Sequence, residues 1–173
     1  MFLIVSKIFE LVHIDTEFGY LDIDRVAGLI VFLIVYQRFY DKQSIRFIPI
    51  LILLSVLYAL LPSFFGLGGF GWEKLLTLFF LTAMVEEILL RGVVFHFLLK
   101  ILNRHQTIFV SSLFFTLVHP VIYGNYGYAM SVFIAGVILG YIYMAFKNNS
   151  AGIVAATFSH ALIILLGLMV GAI

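Results

Sequence analysis

From residue 47 onward the chain is a succession of apolar runs of roughly 15 to 30 residues, broken only by short polar turns. Runs of this length and purity constrain the fold more than any motif does, because a helix needs about 20 mostly apolar residues to cross a bilayer. A 173-residue soluble globule has too much surface to hide a sequence that is 64% hydrophobic. Charged residues make up 11%, against about 25% in a typical soluble domain. These figures exclude an ordinary cytosolic enzyme, a disordered chain and a nucleic-acid binder. A net charge of +1 offers phosphates no basic footprint. Cysteine is absent, which removes disulfides, thiolate metal sites and a cysteine nucleophile.

The expected fold class is all-α: a polytopic membrane helical bundle of about six transmembrane helices. The candidate spans are residues 25–37, 47–61, 72–102, 107–122, 128–146 and 151–173. The third is too long to stand upright and must tilt or emerge. Residues 1–13 are apolar but short, carry Lys7 and Glu10, and precede no small-residue cleavage site, so they read as a short N-terminal interfacial helix. No internal repeat or long linker divides the chain, and a single domain over 1–173 is expected.

The basic residues orient this arrangement. Arg38, Lys42, Arg46, Lys100, Arg104 and Lys147 share one side if all six segments cross. The positive-inside rule makes that side, with loops 38–46, 100–106 and 147, cytoplasmic. The acidic segment 15–24 then lies outside.

Several small motifs read as structural. Gly66, Gly68 and Gly71 spell a dinucleotide-type GxGxxG, but they follow an apolar span instead of a strand and read as a turn. Asn148-Asn149-Ser150 matches a glycosylation sequon on the expected cytoplasmic side, where capping the last helix is the simpler role. Gly136 and Gly140 form a GxxxG that lets another helix pack closely.

The third span carries Glu86-Glu87 and Arg91 inside an apolar helix. Each charge at a helix centre costs roughly 2.5–3.5 kcal/mol on insertion scales, and functional use is the default reading of such groups. Glu87 and Arg91 are four apart with the glutamate N-terminal, the favourable order for an ion pair. Glu86 points about 100° away and has no partner in the local sequence. The pair is therefore assigned to holding the site, and Glu86 to chemistry as a general base.

Two histidines join this group. His119 lies in the fourth span and His160 in the sixth. At about 1.5 Å per residue, Glu86, His119 and His160 sit roughly 24, 18 and 14 Å from the cytoplasmic ends of their helices. They can share one layer, and one base with two imidazoles suffices to activate a water and steady an oxyanion. His96 is too far along its helix, His105 sits in a loop and His13 is near the N-terminus, so these three are given no role. The chain lacks HExxH, a GxSx nucleophile motif and an intramembrane aspartate pair.

These residues resemble the CAAX-protease and bacteriocin-processing family, also called CPBP or Abi, which includes the CAAX prenyl endopeptidase. Its EExxxR motif is matched by Glu86, Glu87 and Arg91, and its FxxxH motif by Phe115 and His119. Its late HxxxN or HxxxD motif is matched only at His160. The resemblance covers about residues 73–167. It implies an intramembrane glutamic protease in which Glu86, assisted by His119, activates water. His160 then steadies the oxyanion, while Glu87, Arg91 and Phe115 support the site. The implied substrate is a membrane-associated protein or peptide cut near its C-terminus, in a bacterial or archaeal cytoplasmic membrane, with no cofactor. Glu86, His119 and His160 are also a legitimate zinc set, which is the alternative.

One position departs from the pattern. Ile164 stands where the family has Asn or Asp, a side chain that the resemblance implies helps bind the oxyanion. Ser159 and Asn125 are the candidate substitutes. Loss of the donor also leaves open a catalytically inactive relative, such as an immunity or scaffold factor. A small proton- or ion-coupled transporter is the other reading of intramembrane charges.

Overall fold

The computed structural model describes residues 13–16, 19–22, 47–64, 71–119, 126–147 and 149–169. A short antiparallel hairpin, β1 (His13–Thr16) and β2 (Gly19–Asp22), pairs His13 with Asp22 and Thr16 with Gly19. The remaining described elements are helices. They are α1 (Ile48–Phe64), α2 (residues 72–98), α3 (Arg104–Leu117), α4 (Tyr126–Ala145) and α5 (Asn149–Met169).

Helices occupy five of the six expected spans. The segment 25–37 lies outside the described residues, as do residues 1–12 of the expected interfacial helix. His13 belongs to a strand, and the acidic segment 15–24 contains most of the hairpin. Among the described residues two helices, α4 and α5, are long and apolar enough to cross a membrane, and α1 is a shorter apolar helix.

The helix ends have local causes. α1 runs past the expected Leu61 to Phe64, and Pro62 in its last turn gives up one backbone hydrogen bond close to where the helix ends. α3 starts before the expected Thr107 because Asn103 and Gln106 form a reciprocal capping box: Gln106 N donates to Asn103 Oδ1 at 3.0 Å and Asn103 N to Gln106 Oε1 at 3.1 Å. This places His105 in the first helical turn, not in a loop, and its Nδ1 lies 3.0 Å from the Tyr141 hydroxyl. α3 stops at Leu117, well short of the expected residue 122. Pro120 disfavours helical geometry at the residue before it, which is His119.

α2 is continuous in direction but not uniform in winding. Its α-helical turns at Trp72–Thr77, Val85–Glu87 and Phe95–Leu98 alternate with two π-helical stretches, Leu78–Met84 and Ile88–Val94. The two wide stretches flank Glu86 and Glu87 directly. Such i→i+5 segments are rare and concentrate at functional sites. The helix ends at Leu98, short of the expected 102, and the chain turns through residues 99–102.

α2 and α5 pack antiparallel. Leu75, Phe79 and Ala83 share a core cluster with Ala161, Leu165 and Tyr58 of α1. Further along α2, Ile88 and Phe95 pack with Ile153, Ala156, Ile108 and Tyr143. α4 approaches α3 through its small residues. A Cβ added at Gly136 would lie 3.2 Å from the Ser112 backbone, and one at Gly140 would lie 3.0 Å from Ile108. This is the close contact expected of the GxxxG.

The molecule is inverted relative to a soluble globule. Leu53, Leu60, Phe109, Leu117, Ile134 and Leu166 are exposed. Thr107, Ser111, Ser112 and Thr157 are buried with Glu87 and Arg91. Small and polar residues between helices with apolar residues outside fit a lipid surround.

Gly152 is the tightest of these approaches: a Cβ there would come 2.7 Å from the Tyr143 carbonyl oxygen. Gly152→Ala is expected to destabilise the α4–α5 packing by about 1–3 kcal/mol, the usual range for overpacking. A lowered unfolding midpoint in detergent is the measurement, and Ala151→Gly, one position away, serves as the comparison.

Candidate active site

The site is built around a single carboxylate oxygen. Glu87 Oε1 accepts a hydrogen bond from Arg91 Nη1 at 3.0 Å, and His160 Nδ1 lies 2.9 Å from the same atom. Glu87 and Arg91 side chains are fully buried. Arg91 Nη2 donates to the Gly136 carbonyl oxygen at 2.9 Å, which ties α2 to α4. The α2 ion pair expected from the i,i+4 spacing is therefore present. No local pattern signals that Glu87 also reaches His160, across 73 positions of chain.

His160 stands between two carboxylates. While Glu87 holds Nδ1, Nε2 lies 3.8 Å from Glu86 Oε2. Glu86 is the less buried of the two glutamates, with its side chain 32% exposed. Its neighbour faces the helix interface, and the angular step between adjacent helical residues sends the two carboxylates to different surroundings. Glu86 Oε2 is itself buried and has no hydrogen-bond partner among the described residues.

Phe115 explains the aromatic in the FxxxH pair. Its ring is buried and meets the His119 ring edge-on at 4.6 Å and the His160 ring at 5.4 Å. The Arg91 guanidinium lies 5.4 Å from the same ring centroid. His119 Nδ1 lies 2.7 Å from the Phe115 carbonyl oxygen. That acceptor requires the proton on Nδ1 and leaves the Nε2 lone pair available in the neutral ring.

Glu86, His119 and His160 all line one cavity of about 340 Å³. Its walls come from α2, α4, α5 and the end of α3, and are mostly apolar. Ile164 is part of this wall, one helical turn beyond His160. Neither suggested substitute is seen there. Ser159 does not line the cavity, since adjacent helical residues diverge by about 100°, and Asn125 lies outside the described residues. The cavity does hold hydroxyls that the motifs do not include, on Thr82, Tyr128 and Ser131. Thr82 alone has a signal in the sequence: it stands four residues before Glu86 and so on its helix face. The zinc alternative is not met by the geometry: among the described residues no group of three His, Cys, Asp or Glu side chains could hold a metal ion.

A helical bundle with an apolar exterior and a partly open, mostly apolar cavity bearing a carboxylate and two imidazoles defines a class of membrane-embedded proteins equipped for acid–base chemistry. Residues 68–166 match the family model described as type II CAAX prenyl endopeptidase Rce1-like. The chain belongs to this family of membrane-associated proteases. Comparison with curated proteins and with solved structures gives no match.

The Glu87–Arg91 pair can be tested apart from chemistry. Arg91→Leu leaves Glu87 without its cation in a dry interior, and breaking a buried pair from one side costs about 3–5 kcal/mol. Denaturant unfolding in detergent micelles should register that loss. A loss below about 1 kcal/mol, the range of solvent-exposed pairs, would mean the site is not dry.

Proposed function

We propose that the chain is an intramembrane endopeptidase of the glutamic type, working without a metal. It cleaves a membrane-associated protein or peptide near its C-terminus. The observation that carries this reading is the convergence of Glu86, His119 and His160 on one cavity, within a chain that belongs to a protease family.

Each group has a role its surroundings suit. Glu86 offers an unpartnered carboxylate oxygen, and His119 a ring nitrogen opposite the one committed to Phe115. A water between them loses a proton to Glu86 and attacks the substrate carbonyl carbon. The C=O electron pair moves onto oxygen, giving a tetrahedral oxyanion. His160 is held through Nδ1 by Glu87 with Nε2 turned toward Glu86, and its Nε2–H donates to that oxyanion. When the intermediate collapses, the C–N bond breaks and the leaving amine takes the proton held by Glu86. Glu87 orients His160, as a carboxylate behind an imidazole does in other hydrolases. Arg91 balances the charge of Glu87.

The same reading supplies the setting. The protein resides in the cytoplasmic membrane of a bacterium or archaeon, with loops 38–46, 100–106 and 147 facing the cytoplasm. The bilayer surrounds the apolar exterior. One observation favours a second reading: Ile164 places an apolar side chain on the cavity wall next to His160, as a catalytically inactive relative would tolerate.

Proteoliposomes carrying the full chain, supplied with a farnesylated, fluorescence-quenched CAAX peptide and with peptides ending in an apolar span and basic tail, separate the two. Glu86→Gln and His119→Ala should each lower kcat by about 10²–10⁴, the range for removal of a general base. Full activity in either variant would refute the mechanism. Absence of cleavage of every peptide by the wild type, with the wild-type phenotype kept in Glu86→Gln cells, would select the inactive relative.

A further inference from the structure

The cavity contains a hydroxyl whose placement has no structural explanation. Ser55, Ser111, Ser112, Thr116 and Ser131 each turn back to donate to a carbonyl oxygen three or four residues earlier in their own helix. This is the usual way a helical hydroxyl is satisfied in an apolar setting. Among the described residues the Thr107 and Thr157 hydroxyls are without a partner too, but they are buried away from the cavity; the Thr82 hydroxyl makes no back-bond and lies in the cavity wall. It sits in the first π-helical stretch of α2, one turn before Glu86.

Its level along the bundle matters. α2 and α5 are antiparallel, with His160 beside Glu86 and Glu87. One turn onward along α5 is Ile164, and one turn back along α2 is Thr82. Both line the same cavity. The position next to His160 that carries no donor on α5 is therefore faced by a donor on α2.

Of the other polar groups in the cavity, the Glu86 carboxylate is an acceptor, His119 Nδ1 is held by Phe115 and the Ser131 hydroxyl is held by Gly127, while Tyr128 makes an interaction of its own. A tetrahedral oxyanion needs preorganised donors, and His160 Nε2–H supplies one. The geometry points to Thr82 as the second: its Oγ1–H donates to the oxyanion beside His160. This assignment rests on the peptidase reading. It makes Thr82 a catalytic residue of this chain, with the donor carried by α2 in place of α5.

The test uses the full chain in proteoliposomes with whichever of the peptides above the wild type cleaves. Thr82→Val, nearly isosteric, should lower kcat by about 10²–10³ with KM little changed, because the donor acts on charge that develops only in the transition state. Thr82→Ser should stay within about tenfold of wild type. Ile164→Asn placed in the Thr82→Val background should recover at least tenfold, since it restores a donor at the same level from the other helix. A peptide aldehyde, whose hydrate mimics the tetrahedral intermediate, should bind Thr82→Val at least tenfold more weakly, while a non-cleavable reduced-amide peptide binds both proteins equally. Unchanged kcat in Thr82→Val, or a rise in KM alone, overturns the assignment while Glu86→Gln inactivity leaves the peptidase reading standing. If the wild type cleaves no peptide and Glu86→Gln changes nothing, both fall together.

Discussion

One carboxylate oxygen, Glu87 Oε1, carries the arrangement. It receives Arg91 from its own helix and His160 from the last one, and Arg91 passes the connection to α4 through the Gly136 carbonyl. Three helices are thereby registered by three polar contacts in an apolar interior. Between lipid-exposed helices there is little hydrophobic drive to select one register over another, because lipid tails solvate leucine as well as another helix does. Directional contacts must supply that choice. Placing the buried pair at this depth costs desolvation energy, and what it secures is the orientation of the His160 ring with one nitrogen facing Glu86.

The layer is enclosed by apolar packing on both sides. Toward one end of α2 lie Leu75, Phe79 and Ala83 against α1 and α5; toward the other lie Ile88 and Phe95 against α3, α4 and α5. Phe115 joins the polar and apolar parts, since one ring contacts both imidazoles and the guanidinium. The quadrupole of an aromatic ring accommodates such neighbours without a competing hydrogen bond. That accounts for an aromatic at the position four before His119 better than size alone does.

Much of this is legible in the order of the amino acids. Long apolar runs separated by polar turns place five helices close to where they lie, and the i,i+4 spacing of Glu87 and Arg91 predicts their pair. The GxxxG at Gly136 and Gly140 predicts a close helix contact. Helix ends are harder: the start of α3 depends on the Asn103–Gln106 box and its stop on Pro120, both local signals that hydropathy ignores. The hairpin at 13–22 escapes a reading by periodicity because two four-residue strands leave hardly any periodic trace beside 20-residue apolar runs. Long-range contacts are out of reach. Nothing near Glu87 in the chain announces His160, and the π-helical winding of α2 has no composition signature. The spacing of Thr82 four residues before Glu86 is visible in the bare sequence, but only the cavity gives its hydroxyl a place.

The contact between Arg91 and Gly136 has a consequence for how this sequence can drift. The acceptor is a main-chain oxygen, and every amino acid brings one, so no point substitution at 136 deletes the hydrogen bond as chemistry. What a substitution changes there is volume, because a Cβ would come 3.1 Å from the Phe115 ring and 3.2 Å from the Ser112 backbone. The guanidinium's anchor is thus immune to loss of a functional group but sensitive to crowding. Among apolar side chains, tolerance at this site should follow size, whereas at Glu87 the functional group itself decides.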